Sequence, residues 1–297
     1  MCGIVGLFLK NPALQGDLGR LTSMMLRELC DRGPDSAGFA VYGGETAGTT
    51  KICMVNRSDA VDWAAVAKQL GQAIGAEVAV EIVEDHAIFR TTGAGDIARK
   101  WLIDNVPSAY VLSQGRSIEI FKGVGDPAAI VDRLDLAHRA GTHAIGHTRM
   151  ATESAVTVAG SHPFSTGDDT CLVHNGSLSN PNAIRRMLEP RGIRFDTDND
   201  TEAACRFLEW RLREGDDLHT ALQAAFEALD GFFTFLMGTP QQLALIRDPF
   251  ACKPAVVAET DDYVAIASEF RSLAHLPDIQ HATVFEPAPE EMYVWKA

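Results

Sequence analysis

Apolar runs of strand length gather at both ends of this 297-residue chain, with amphipathic helical stretches grouped between them. Gly3–Leu9 and Ala37–Tyr42 read as strands around a helical segment from Leu18 to Cys30 that sets Leu21, Met24, Met25 and Leu29 on one face. The strand pattern returns at Ala144–Thr148 and Thr170–His174. Three helices follow: Asn180-Pro181 to about Leu188, about Asp200 to Gly215, and a third from Asp217 whose apolar stripe is Leu218, Ala221, Leu222, Ala225, Phe226 and Leu229. Phe232–Met237, Leu243–Ile246, Ala255–Ala258 and Val264–Ala267 read as closing strands. Strands grouped before and after helices, instead of alternating with them, predict two sheets packed between helical layers, an α+β arrangement and not a parallel doubly wound sheet.

The stretch from about Gly44 to Gly141 is patterned differently. Lys51–Val55 is strand-like, and Val61, Trp63, Val66, Ala67, Leu70 and Ile74 have helical spacing. Glu77–Thr91 is mostly strand-like, Ile97–Ile103 is a short helix, and Tyr110–Leu112 with Ile118–Phe121 suggests a hairpin. Asp126-Pro127 reads as an N-cap with proline at the first helical position, opening a helix to about Ala140. The expectation is one domain over 1–297, interrupted by an inserted α+β segment at about 44–141.

Charge and cysteine usage narrow the function classes. A formal net charge of −14 argues against nucleic acid and against an acidic membrane surface as partners. No apolar run has the length of a membrane span, and the start lacks the basic region of a secretory signal. The six cysteines are scattered with no C-x-x-C pair, so neither a zinc ribbon nor an iron–sulfur cluster is encoded, and a reduced, cytoplasmic chain is expected.

Cys2 is the residue with chemistry to offer. It opens Cys2-Gly3-Ile4-Val5-Gly6 and becomes the terminus once Met1 is removed. A thiol on the residue that carries the α-amino group has a base within covalent reach, the amine titrating at about 7.7–8.0 against about 8.5 for the thiol. Terminal nucleophiles are a known variant of triad logic. Four further motifs accompany it: Asp31-Arg32-Gly33-Pro34-Asp35-Ser36-Ala37-Gly38, Gly146-His147-Thr148-Arg149-Met150-Ala151-Thr152, His174-Asn175-Gly176, and Asp198-Asn199-Asp200-Thr201-Glu202.

In this order the five motifs resemble the class II glutamine amidotransferase domain of the N-terminal-nucleophile hydrolases, over nearly the whole chain except the inserted segment. The resemblance implies a four-layer αββα sandwich and a glutaminase in which Cys2 forms a γ-glutamyl thioester. It implies an oxyanion site made by the Asn175 side chain and the Gly176 N–H, in a segment that also reads as a hairpin turn. Arg149 matches the arginine that grips the substrate α-carboxylate, a contact suited to a planar guanidinium. Thr152 would support the same carboxylate, and Asp200 matches the acid that binds the α-ammonium, though it also reads as a helix N-cap. His162 is a pocket or a structural residue, and Arg32 orders the N-terminal segment. Ala267-Ser268-Glu269 is assigned to architecture.

Thr142–Ser154 and Ser161–Asp169 are most similar to the free-standing amidotransferase subunit of glutamate-synthase-like systems, including N-methylglutamate synthase. Such a subunit has glutamine as substrate and assembles as a hetero-oligomer with a separate synthase. It holds no metal or cofactor itself, the FMN and iron–sulfur cluster lying on partner subunits. The alternatives are a stand-alone amidohydrolase on another γ-glutamyl or amide substrate and a non-catalytic regulatory subunit.

Overall fold

The computed structural model describes residues 1–57, 60–93, 95–151 and 155–296. Gly3–Leu9 (β1) is the central strand of a seven-stranded sheet with every neighbour antiparallel. The order is Thr283–Phe285 (β14), Val256–Glu259 (β12), Tyr263–Ala267 (β13), β1, His143–Arg149 (β8), Ser36–Tyr42 (β2) and Ile118–Val124 (β7). All of β1 is buried because both faces of its sheet are covered, which is why GIVGLFL shows no polar alternation.

A second antiparallel sheet, ordered Met292–Lys296 (β15), Gln242–Arg247 (β11), Gly231–Thr239 (β10) and Cys171–Leu178 (β9), lies against the first. Cys171, Val173, Leu236, Leu243 and Leu245 of its inner face share one core with Val5, Leu7, Ile145 and Ile266 of the first sheet. Its outer residues Leu172, Phe233, Phe235, Met237 and Ile246 pack instead with Pro181–Leu188 (α5), Asp200–Arg213 (α6) and Leu218–Ala228 (α7). The period of two along each strand thus splits the apolar side chains between two cores. Leu18–Arg27 (α1) and Pro127–Arg133 (α4) cover the far side of the first sheet. The layers are helix, sheet, sheet, helix, the αββα sandwich expected.

The inserted region builds a third sheet, ordered Val78–Val83 (β4), His86–Thr92 (β5), Thr49–Asn56 (β3) and Ala109–Gly115 (β6), with Trp63–Ile74 (α2) and Gly95–Asn105 (α3) on one face. Ile52 and Met54 of β3 join Trp63, Leu70, Phe89 and Leu102 in a separate small core. Cys53 and Val55, on the opposite face, belong with Ile88 and Leu112 to the main core. A buried ion cluster ties this sheet to β7. Glu119 accepts from Lys51 Nζ at 2.9 Å, Arg90 at 3.0 Å and Arg139 at 3.3 Å.

Several expectations need correcting. Tyr110–Leu112 and Ile118–Phe121 do not form a hairpin: β6 pairs with β3, and β7 pairs with β2 in the seven-stranded sheet. The unit with its own sheet therefore spans Thr49–Gly115, narrower than 44–141, and both β7 and α4 belong to the main sandwich. The helix expected to reach Ala140 ends at Arg133, because Asp135 takes a left-handed conformation (φ 55) before a short 3-10 turn at Leu136–His138. Asp126 does cap that helix, accepting from the Ala129 N–H at 2.9 Å. The first helix likewise stops at Arg27 instead of Cys30. Asn180 precedes α5, but its side chain serves the neighbouring loop, donating to Ala228 O and accepting from the Asp230 N–H.

Candidate active site

Antiparallel pairing of Gly3 with Thr148 brings the start of β1 to the end of β8, so Cys2 and Arg149 are neighbours at one end of the seven-stranded sheet. Cys2 Sγ lies 3.8 Å from the Met150 carbonyl. The Cys2 carbonyl accepts from Arg32 Nε at 3.1 Å, and Arg32 is held in turn by Glu269 at 2.7 Å. Ser268 fixes the next residue but one by accepting from the Ile4 N–H at 3.0 Å. Met1 is 63% exposed, while Arg149 is 6% exposed and donates to Ala155 O at 3.2 Å.

Asn175 and Gly176 do not form a turn. β9 runs straight through them to Leu178, paired along its length with β10. Phe233, opposite Gly176, has both backbone groups engaged by Asp248: its N–H donates to Asp248 Oδ2 and its carbonyl accepts from the Asp248 N–H. Neither is left for β9, so the Gly176 N–H points away from β10. Because β9 is the last strand of its sheet, that N–H faces the open edge. Its neighbours at alternate positions confirm the direction. Leu172 exchanges hydrogen bonds with Phe164, the His174 carbonyl accepts from His147 Nε2 at 3.0 Å, and the Leu178 N–H donates to Asp200 Oδ2 at 2.9 Å. Gly176 has φ +155, and a Cβ there would sit 1.9 Å from the Phe232 carbonyl oxygen, so no larger residue fits.

Asn175 is 2% exposed, and its Nδ2 is buried without a hydrogen-bond partner among the described residues. A buried amide left unpaired costs about 1–3 kcal/mol, so such a group calls for a reason. Two amide donors, one from a side chain and one from the backbone of the adjacent residue, stand here with nothing in the described protein to receive the first. His147 lies two residues before Arg149 on β8 and bonds the residue before Asn175, so this donor pair belongs to the same end of the sandwich as Cys2.

Asp200 is the first residue of α6. The N-cap is Asn199, whose side chain accepts from the Thr201 N–H at 2.9 Å. Burial pushes the Asp200 carboxyl up, but the His174 ring and the N–H groups of Leu178 and Thr201 outweigh it and hold the group at about 2. Its Oδ1 is 3.7 Å from His174 Nδ1. Thr201 Oγ1 joins two histidines, at 2.8 Å from His162 Nε2 and 3.0 Å from His174 Nδ1. His162 stacks on His147 with ring centroids 4.0 Å apart. Burial lowers both rings, His147 to about 3 and His162 well below its usual value, so both are neutral.

Cys2 and Arg149 therefore sit at neighbouring strand ends of the first sheet, Asn175 and Gly176 lie on the edge strand of the second, and Asp200 opens α6 bonded to that edge, with Arg32 behind Cys2. His162 is inside, in a packed histidine group behind Asp200. Thr152 lies outside the described residues. Sequence reading overlooked His147 and His174, which lock β8 and the Asp200 helix onto the edge of β9. It also treated Ser268 and Glu269 as general architecture, whereas they hold the N-terminal segment. The signal for the histidines was present in Gly146-His147-Thr148-Arg149 and His174-Asn175-Gly176, where each precedes a site residue by one or two positions.

Comparison with known proteins identifies the family. A glutamine amidotransferase domain family model matches residues 147–275. The chain is 50% identical to the glutamine amidotransferase-like protein GlxB of Rhizobium meliloti over 99% of this chain and 98% of that one. It is 36% identical to a putative glutamine amidotransferase of Methanothermobacter thermautotrophicus over 99% of each chain. Among solved structures it resembles the glutamine phosphoribosylpyrophosphate amidotransferase of B. subtilis, with TM-score 0.63 and 21% identity. That match covers 99% of this chain and 47% of the other, so the present chain spans about half of that protein. Relatives that match from end to end make this chain a member of the glutamine amidotransferase family, a family of enzymes.

Proposed function

We propose that the chain is the glutaminase subunit of a two-component enzyme, with Cys2 as nucleophile and the Asn175–Gly176 pair as oxyanion site. The observation that carries this reading is the buried Nδ2 of Asn175, without a partner among the described residues, beside a backbone N–H directed off the edge of β9. Donors fixed in this way cost no reorganisation when charge develops on the substrate oxygen. After loss of Met1, the α-amine of Cys2 takes the proton of its thiol as the sulfur attacks the side-chain amide carbon of glutamine. The tetrahedral oxyanion sits on Asn175 Nδ2 and the Gly176 N–H. Collapse breaks the C–N bond, the α-ammonium returns the proton to the leaving nitrogen, and ammonia departs from a γ-glutamyl thioester that water then hydrolyses to glutamate. Arg149 holds the substrate α-carboxylate and Asp200 its α-ammonium. Arg32 positions Cys2 through the backbone carbonyl, and Thr152 adds to the carboxylate site.

In this reading the ammonia is used by a glutamate-synthase-like or N-methylglutamate-synthase partner that carries the FMN and iron–sulfur cluster. The described residues are taken up by the three sheets and their helices, and the third sheet, outside the sandwich, offers a surface for docking. The test is glutamate release by the isolated chain and after addition of the synthase subunits. Low activity that rises on mixing is expected. Full activity without them makes the chain a stand-alone amidohydrolase, and none in either state makes it a regulatory subunit.

A further inference from the structure

A cavity of about 370 Å³ opens between the inserted sheet and the sandwich, away from Cys2. Lys122 of β7 lines it although its residue is only 4% exposed. Among the described residues this lysine makes no ion pair. Its Nζ donates to Ser161 O at 2.8 Å and lies 4.7 Å above the Phe164 ring, which leaves donor capacity unused. An ammonium buried without an ion-pair partner is costly, and burial, outweighing the pull of nearby Cys205 and Glu202, lowers this one to about 7.

The rest of the lining is cationic at the rim. Arg57 and Arg99 come from the inserted unit and are both exposed, and Arg206 comes from α6. The acids here are Asp196 and Glu202, and both are engaged by Arg206 at 2.7 Å. Four cations thus face two carboxylates that already have a partner, on a chain whose net charge is −14. A buried cation at the floor and two exposed cations at the rim suit a ligand with an anionic group at each end. We propose that this cavity binds a small dicarboxylate, one carboxylate on Lys122 and the other on Arg57 and Arg99. The proposal does not depend on the glutaminase assignment.

The full chain should be titrated calorimetrically with succinate and glutarate, and with acetate and inorganic phosphate as controls. A dicarboxylate is expected to bind one per chain, with acetate weaker by about tenfold or more. Lys122→Met should weaken dicarboxylate binding by at least about tenfold while raising the melting temperature of the free chain, since it removes an uncompensated buried charge. The exposed double variant Arg57→Ala/Arg99→Ala should bring dicarboxylate affinity down to that of acetate with only a small fall in the melting temperature, from the loss of the Arg57 contacts to Ala109 O at 3.3 Å and to the Tyr110 ring at 4.0 Å. No binding of either dicarboxylate up to about 10 mM overturns the proposal. So does affinity unchanged in both variants, or phosphate and acetate binding as well as succinate.

Discussion

Asn175→Ala separates a catalytic donor from a structural one. In the resting protein Asn175 Nδ2 has no partner among the described residues, so deleting it breaks no hydrogen bond made there by that atom. It also removes an unsatisfied buried group that costs about 1–3 kcal/mol. Truncating a packed side chain at a site 2% exposed costs a similar amount in the opposite direction. The two effects nearly cancel, leaving a change in stability within about 1 kcal/mol and a melting shift under about 4 °C. Turnover is another matter, since losing one oxyanion donor removes about 3 kcal/mol of transition-state stabilisation, a drop of roughly 10²–10³ in kcat. Glutamate release measured under saturating glutamine, beside thermal unfolding of the same samples, gives both numbers. A variant that melts much earlier yet keeps its kcat would mean that Nδ2 holds the fold and not the oxyanion.

Mature protein should begin at Cys2 and react once with 6-diazo-5-oxo-norleucine at that residue; peptide mass analysis finding Met1 retained in active protein, or the label on Cys30, removes the proposed nucleophile. Asp200→Asn should raise KM for glutamine and also cost stability, because the carboxylate receives the Leu178 N–H as well as facing the substrate. With its folded value at about 2, below an ordinary value near 3.9, Asp200 stabilises the fold above about pH 4 by about 2 kcal/mol. That contribution fades as pH falls toward about 2, and an Asp200→Asn variant whose stability retains the same acid dependence would refute the assignment. The buried neutral histidines work at higher pH. His143 and His147 are lowered by burial to about 4 and about 3, so the unfolded chain takes up their protons first and stability should decline as pH drops below about 6.5. Urea midpoints at about pH 7.5 and about pH 5.5, on either side of that value, test this, and equal midpoints would count against it.

The sandwich was legible because its strands carry continuous apolar runs and its helices carry single stripes, signals that survive without knowledge of pairing. What the sequence could not convey was partnership. β6 and β7 are separated by only Arg116 and Ser117, which favours a hairpin locally, yet each pairs with a strand far earlier in the chain. In the folded chain Cys53 and Val55 of β3, with Ile88 and Leu112 of the same sheet, face the main core, an orientation that no local pattern encodes. The same limit applied at Asn175-Gly176. A dipeptide with strong turn chemistry was held extended by eight paired positions on β10. Motif order located the site residues, whereas the histidines that clamp them are ordinary in type and gain meaning only from Thr201 and the β9 carbonyl.

The outer edge of β9 shows how this sandwich reconciles solubility with reactivity. An unpaired strand edge invites another chain to add to it, and proteins generally block such edges. Here the blocking is done piecewise, by Phe164 at Leu172, by the His147 ring at His174 and by the Asp200 carboxylate at Leu178. Among the described residues the gap in that fence is at Gly176, one residue wide and too short to template a strand. A substrate oxygen can use what a polypeptide cannot. Widening the gap, by replacing His147 or Asp200, should therefore make the protein more prone to self-association as well as less able to handle glutamine.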